Sequence, residues 1–126
     1  MRKAILVGLL GFLGVYSRWI LDSLAGKWFE VFPVGILSIN FLGSVLASVT
    51  YVASTEKGLI SPSIAIGLLV GFCGGFTTFS AYSLQSFLYV EKGDLLRGLG
   101  YLCLSPVVGF IGILLGVSYG RNWSSG

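Results

Sequence analysis

Four long apolar segments occupy most of this chain and leave little room for anything else. They cover about residues 4–24, 34–54, 64–90 and 95–119 of a sequence of 126 residues. Each reaches the roughly 20 residues that a helix needs to cross about 30 Å of hydrocarbon. Because the apolar character is continuous and does not alternate every second residue, it favours helices over a membrane barrel. We therefore expect an all-α membrane protein with one four-helix transmembrane domain over residues 1–126.

The composition excludes an ordinary soluble fold. Hydrophobic residues make up 55% of the chain, charged residues 10%, and the mean hydropathy is +0.91. These values indicate an integral membrane protein whose short connections leave the function among the helices. The basic start of the first segment also resembles a secretory signal peptide. No good small-x-small cleavage motif follows it, which favours a retained first helix.

Basic residues are almost evenly divided between the two sides that four spans would define. One side would carry both ends of the chain with Arg2, Lys3, Lys57 and Arg121. The other side would carry Lys27, Lys92 and Arg97. The positive-inside rule needs an excess on one side to set the orientation. The balance leaves two interpretations open: a weak preference for one orientation, or dual topology, with copies inserted both ways and able to pair antiparallel.

Glycines recur at helical spacing in the first and fourth segments. These two ridges are formed by Gly8, Gly11 and Gly14, and by Gly109, Gly112, Gly116 and Gly120. Small residues at such intervals let helix backbones approach closely where lipid removes the hydrophobic drive for association. The ridges predict packing within one bundle or between two subunits. Because four short helices enclose little interior, a transport path is built more easily at a dimer interface.

Polar side chains interrupt the first two segments. A charge as deep as Arg18 is costly unless it reaches an interface or a partner. Asp22, one helical turn later, offers a partner. The alternatives are snorkelling beside Trp19 and a vestibule role that attracts anions. In the second segment, the amide of Asn40 suits either an interhelical hydrogen bond or a donor facing a pore.

The third segment contains the strongest signal, the stretch GGFTTFSAYS at residues 74–83. Gly74 and Gly75 each lower the helix preference by about 1 kcal/mol, so we expect the helix to unwind there, in the middle of the membrane. Unwound backbone at that depth is tolerated where it is buried, lines water or binds an ion. Phe79 and Tyr82 would share a face and present positive ring edges to an anion. The accompanying hydroxyl residues are Thr77, Thr78, Ser80 and Ser83.

The sequence Gly-Gly-Phe-Thr-Thr-Phe-Ser at residues 74–80 resembles the third-helix motif of the CrcB/Fluc fluoride channels. Weaker similarities are Ser-Arg-Trp at residues 17–19, Asn-x-x-Gly at Asn40 and Gly43, and the glycine-rich fourth segment. The resemblance implies a passive, fluoride-selective channel that exports the ion from the cytoplasm across a prokaryotic plasma (inner) membrane. It also implies an antiparallel dual-topology homodimer with two pores.

The resemblance assigns roles to individual residues as well. Backbone carbonyls of Gly74 and Thr77 from each subunit would hold a structural sodium ion, Na+, at the dimer interface. Arg18 would lie in a vestibule. The resemblance places Asn40, Phe79 and Tyr82 in the pore. With three of the hydroxyl residues, the candidate pore lining is Asn40, Phe79, Ser80, Tyr82, Ser83 and Ser105.

Several positions depart from the family pattern along the expected polar track. They are Ile36, Ala81, Tyr82, Gln85, Gly109 and Ile113. One explanation is divergence that leaves conduction intact. Another is that the chain is one subunit of a heterodimeric channel whose partner keeps the missing groups. The interruption in the third segment and the retained Asn40 and Phe79 favour a homodimer.

A small multidrug-type exporter is the competing function, because such proteins also have four helices and dual topology. They depend on a carboxylate inside the membrane. In this chain the acidic residues lie at predicted span ends or in loops: Asp22, Glu30, Glu56, Glu91 and Asp94. An enzyme is not expected, since the sequence has no nucleophile–base pair, and two cysteines without histidine predict no zinc or haem site. A structural membrane subunit is a third alternative, but it leaves the polar interruption unexplained.

Overall fold

The computed structural model describes residues 1–28 and 34–123, and within these ranges the chain is almost entirely helical. Four helical stretches are long and apolar enough to cross a membrane. Their bounds are Arg2–Gly26, Val34–Glu56, Pro62–Glu91 and Leu95–Asn122. The predicted all-α architecture with four spans is confirmed. Each span is a few residues longer than predicted, because the helices continue into flanking polar residues.

Local capping sets several helix boundaries. In chain order, the described elements are α1 Arg2–Trp28, α2 Val34–Tyr51, a π-helical turn Val52–Glu56, α3 Pro62–Ile66, a π-helical stretch Gly67–Cys73, α4 Gly74–Phe76, α5 Phe79–Glu91 and α6 Leu95–Asn122. Ser61 caps α3, because its hydroxyl oxygen accepts a hydrogen bond from the Ile64 amide. Asp94 caps α6 through the Arg97 amide, just after Gly93 turns the chain with a φ of 83°.

α2 and α6 run parallel and meet along a glycine seam. An added Cβ at Gly112 would lie 2.8 Å from the Phe41 carbonyl oxygen, and one at Gly116 would lie 2.6 Å from the Val45 carbonyl oxygen. The contacts advance in the same direction along both helices, which defines the parallel arrangement. The glycine ridge predicted in the fourth segment therefore packs within the chain.

α1 meets the third span along a second seam. An added Cβ at Gly71 would lie 2.7 Å from the Val7 carbonyl oxygen, and one at Gly75 would lie 2.6 Å from the Gly11 carbonyl oxygen. These two elements also run parallel. The ridge predicted in the first segment is only partly used within the chain, since an added Cβ at Gly8 meets nothing within 4 Å.

The third span is interrupted after Phe76. Thr77 has φ −77° and ψ 159°, Thr78 has φ −148° and ψ 124°, and the helix resumes at Phe79. Both threonines are therefore extended. The mid-membrane position of this stretch and the antiparallel dimer stay predictions.

The diglycine itself does not unwind, so the predicted position of the interruption is wrong. Gly74 and Gly75 are both helical. Glycine is needed at Gly75 for another reason, because the backbone of α1 lies too close for a side chain there. The low helix preference of these glycines is outweighed by the packing that their missing side chains permit.

A cluster of charged groups joins the ends of the second and fourth spans. Arg121 donates two hydrogen bonds to the Glu56 carboxylate, at 2.9 and 2.7 Å, and the Lys57 ammonium donates to the Arg121 carbonyl at 2.9 Å. Lys57 and Arg121 thus lie at the same end of the bundle, as the span order predicts. One prediction falls outside the described residues: the position of Glu30 at a span end or in a loop.

We expect Gly116→Ala to lower the free energy of unfolding by about 1–3 kcal/mol, the usual effect of overpacking. The added methyl group would meet the Val45 carbonyl and the Ser48 side chain, and the carbonyl moves only if α2 moves. Gly100→Ala on the same helix is the matched control, since nothing lies within 4 Å of an added Cβ there. Thermal unfolding in detergent measures both variants, and equal melting temperatures would contradict the seam.

Candidate functional site

Two consecutive threonines form the interruption, and local hydrogen bonds hold each of them. Thr78 caps α5, because its hydroxyl oxygen accepts a hydrogen bond from the Ala81 amide at 3.1 Å. Thr77 donates from both its amide and its hydroxyl to the Cys73 carbonyl, at 2.9 and 2.8 Å. Because the extended backbone leaves the helical ladder, the N–H and C=O of Thr78 need partners from another element.

Asn40 of α2 provides those partners. Its side-chain oxygen accepts from the Thr78 amide at 2.8 Å, and its side-chain nitrogen donates to the Thr78 carbonyl at 3.1 Å. The same nitrogen donates to the Ser105 hydroxyl of α6 at 3.1 Å. Asn40 is only 9% exposed, and both hydrogens of its amide are engaged. Of the two alternatives for Asn40, the interhelical hydrogen bond is therefore present.

The close approach of the third span explains why a glycine, Gly43, follows Asn40 at the next turn of α2. An added Cβ at Gly43 would collide with the Thr77 methyl group and would lie 3.1 Å from the Phe76 ring. Only a residue without a side chain lets the interruption come this close to α2. The Asn-x-x-Gly pattern thus combines a hydrogen-bonding residue with the space that its bonds require.

A cavity of about 260 Å³ opens beside these bonds, and we call it the Asn40 cavity. Its lining residues are Asn40, Ser44, Thr77, Thr78, Phe79, Tyr82, Ser105, Pro106 and Gly109. The Phe79 and Tyr82 rings pack edge-to-face, with their centroids 5.2 Å apart. Phe79 is 74% exposed, whereas Tyr82 is 7% exposed. Four predicted pore residues are therefore brought together here: Asn40, Phe79, Tyr82 and Ser105.

The other two predicted pore residues, Ser80 and Ser83, do not line this cavity. Ser80 is exposed, and its hydroxyl lies 3.5 Å from the Thr78 hydroxyl. The Ser83 hydroxyl is buried, and it has no hydrogen-bond partner among the described residues. A buried hydroxyl without a partner costs roughly 1–3 kcal/mol. Ser83 therefore keeps an unused donor in α5, one residue after Tyr82.

A second cavity, of about 330 Å³, shares Thr78 with the first, and we call it the Arg18 cavity. It is lined by Val15, Arg18, Trp19, Asp22, Ile36, Thr78 and Ala81. Arg18 and Asp22 thus face one cavity, but within the described part of the chain no ion pair joins them. The direct pair that their spacing offered is not formed. Apart from these two charged residues and Thr78, the lining is largely apolar, and the vestibule role of Arg18 stays a prediction.

Three of the departures from the family pattern meet in one place. Ile36 and Tyr82 belong to one buried apolar cluster with Tyr101, and Ala81 packs against it. Gly109 lines the Asn40 cavity. The remaining two, Gln85 and Ile113, are half-buried and line neither cavity.

The sequence analysis named Thr78 only as one of the hydroxyl residues of this stretch and did not predict its central position in the site. It lines both cavities, and its backbone forms two of the three hydrogen bonds of Asn40. A threonine just before a new helical stretch is typical of an N-cap, and that signal was available. Because the interruption was predicted at the diglycine, Thr78 was not predicted as the residue where the helix begins again.

Backbone carbonyls are the oxygen ligands that the interruption offers to a cation. In a continuous helix the Thr78 amide would donate to the Gly74 carbonyl, but here it donates to Asn40. Gly74 is also exposed on the surface of the chain. Within residues 1–28 and 34–123, no group of three or more cysteine, aspartate or glutamate residues is placed to hold a metal ion. A cation at this position would therefore depend on carbonyl oxygens.

We expect Asn40→Ala to lower the free energy of unfolding by about 2–4 kcal/mol, because the buried N–H and C=O of Thr78 both lose their partner. The amides that follow the interruption should also exchange faster with solvent. Ser38→Ala is the matched control, since Ser38 is exposed on the same helix. Thermal unfolding and hydrogen exchange measured by mass spectrometry check both effects, and unchanged exchange in the alanine variant at position 40 would contradict the assignment.

Comparison with known proteins identifies the family of this chain. Residues 5–117 match the family model described as CrcB-like protein, Camphor Resistance (CrcB). Three curated relatives share the name fluoride-specific ion channel FluC. The protein from Chlorobium chlorochromatii is 39% identical, over 97% of this chain and 94% of its own length. The Leptospira interrogans protein is 39% identical over 88% and 87%, and that of Geotalea daltonii 32% over 96% and 98%. The chain therefore belongs to the CrcB family, whose similar curated members are fluoride-specific ion channels.

Proposed function

We propose that the chain forms a fluoride-selective channel through which the ion leaves the cytoplasm passively. The Asn40 cavity is the observation that supports this most, because an interrupted helix, an edge-to-face aromatic pair and hydroxyl groups meet there. Fluoride holds its water strongly, so a pore must replace that water with preorganised donors and still release the ion. The printed names of the relatives support the choice of fluoride.

The general description of this protein as an ion-transporting membrane protein does not depend on which ion it carries. A member of this family with four membrane-spanning helices is a multi-pass membrane protein that takes part in ion transport, and it is not an enzyme. The proposal adds that this membrane is the plasma membrane of a prokaryotic cell.

The proposal includes an antiparallel dual-topology homodimer with two pores. Only 6% of the apolar window of the first span is buried within one chain, so most of that surface is available to lipid or to a second copy. Phe79 is 74% exposed at the rim of the Asn40 cavity, and a second subunit would complete the wall there. The even division of basic residues permits insertion in both orientations.

A sodium ion between the two subunits is also part of the proposal. The carbonyls of Gly74 and Thr77 from each chain would hold it, because freed backbone carbonyls are typical ligands of Na+ in membrane proteins. The residues fit this role, since Gly74 is exposed and the Thr78 amide donates elsewhere. When bound, the ion would neutralise the facing carbonyl dipoles.

The residues of the proposed pore divide the work between holding and binding. Asn40 lines the path and fixes the backbone of Thr78. Because both of its amide hydrogens are already engaged, its part is to hold the site. Donors for fluoride would come from the ring edges of Phe79 and Tyr82 in the Asn40 cavity and, outside that cavity, from the hydroxyls of Ser80 and Ser83. Arg18 would raise the local concentration of anions in the vestibule.

An efflux assay on the purified single chain tests the function directly. Proteoliposomes loaded with fluoride should release it passively, as measured with a fluoride electrode, whereas chloride-loaded vesicles should retain their anion. Release by this chain alone would also exclude the need for a second kind of subunit. Retention of fluoride would contradict the proposal. Proton-driven export of organic cations that stops in Asp22→Asn would establish the multidrug-type alternative instead.

We expect Phe79→Ile to slow fluoride efflux by at least about a hundredfold, which corresponds to roughly 2.7 kcal/mol of barrier. Isoleucine keeps an apolar side chain but removes the ring edge that would face the ion. Phe87→Ile is the matched control, because Phe87 is also exposed on α5 and does not line the Asn40 cavity. Similar efflux from the two variants would remove Phe79 from the mechanism.

A further inference from the structure

The two cavities follow one another along a single face of α2. Ile36, Asn40 and Ser44 are spaced four residues apart, so they lie on one face at intervals of about 6 Å. Ile36 lines the Arg18 cavity, whereas the other two line the Asn40 cavity. The cavities are therefore consecutive chambers beside one helix.

An apolar partition separates these chambers. Thr78 lines both of them, Ala81 lines the Arg18 cavity, and Tyr82 lines the Asn40 cavity. Ile36 and Tyr82 belong to the same buried cluster with Tyr101, and these three residues are 8%, 7% and 0% exposed. The first turn of α5 thus runs between the chambers, and the cluster closes the space between it and α2.

This partition differs chemically from the chambers that it separates. The Arg18 cavity offers charged groups, and the Asn40 cavity offers hydroxyl groups beside aromatic rings. Between them, the side chains of Ile36 and Ala81 provide no donor to an anion, and the Tyr82 ring edge is the one group of the partition to which the proposed function gives a donor role. A hydrated anion entering an apolar constriction must lose water without replacement, which makes such constrictions the resistive part of a path.

We propose that the partition formed by Ile36 with Tyr82 limits the rate at which an anion passes from the Arg18 cavity to the Asn40 cavity. The proposal rests on the proposed function and assigns a rate-determining role to a residue that binds no ion. Shortening the side chain at position 36 connects the chambers. Permeation then rises, although no donor has been added.

The test compares Ile36→Ala with Leu37→Ala in the proteoliposome assay. Both changes remove the same number of carbon atoms from adjacent residues of α2. Leu37 packs against the same cluster but lines neither the Arg18 cavity nor the Asn40 cavity. Ile36→Val, which removes one methyl group, is the milder variant if the alanine change prevents folding. Size-exclusion chromatography and thermal unfolding establish that each variant is folded.

We expect Ile36→Ala to accelerate fluoride efflux by roughly tenfold, the effect of lowering a barrier by about 1.4 kcal/mol. Ile36→Val should give a smaller increase, and Leu37→Ala should stay near the unsubstituted chain. Equal acceleration in Ile36→Ala and Leu37→Ala would indicate general loosening and would overturn the proposal. Fluoride release by the unsubstituted chain, with no faster release in either variant at position 36, would overturn it while leaving the proposed function intact. Absence of release from every folded variant would instead refute the proposed function.

Discussion

The three hydrogen bonds of the Asn40 amide are the interaction on which the site depends. A transmembrane helix cannot leave its ladder without exposing an N–H and a C=O that lipid cannot satisfy. Asn40 satisfies both groups of Thr78 and also reaches Ser105, so one side chain joins α2, the third span and α6. The extended conformation of the interruption is stable because a neighbouring helix replaces the bonds that are lost.

The spans could be predicted from sequence because hydropathy is a property of whole segments, and twenty apolar residues tolerate few alternatives to a membrane helix. Asn40, Phe79, Tyr82 and Ser105 line one cavity, and their role in a pore stays a prediction. That prediction depended on the resemblance to a known family. Composition alone left the role of Asn40 open.

The position of the interruption could not be derived in the same way. Glycine lowers helix preference, but glycine is also the residue that lets two membrane helices touch, and propensity does not distinguish these uses. At Gly75 the backbone of α1 lies too close for a side chain, so this glycine permits packing and does not interrupt the helix. The pairing of Arg18 with Asp22 failed for a related reason. Spacing along a helix places two side chains on one face, but the cavity in front of them determines whether they meet.

The two glycine seams determine how the bundle can deform. α1 is locked to the stretch from Gly67 to Phe76, and α2 is locked to α6, because backbone meets backbone in each pair. We therefore expect each pair to move as one stiff rod and a shear of one rod past the other to meet the least resistance. Asn40 and Thr78 stand on opposite sides of that shear plane. Their hydrogen bonds span this plane, so we expect them to oppose sliding and to keep the spacing between the two rods constant.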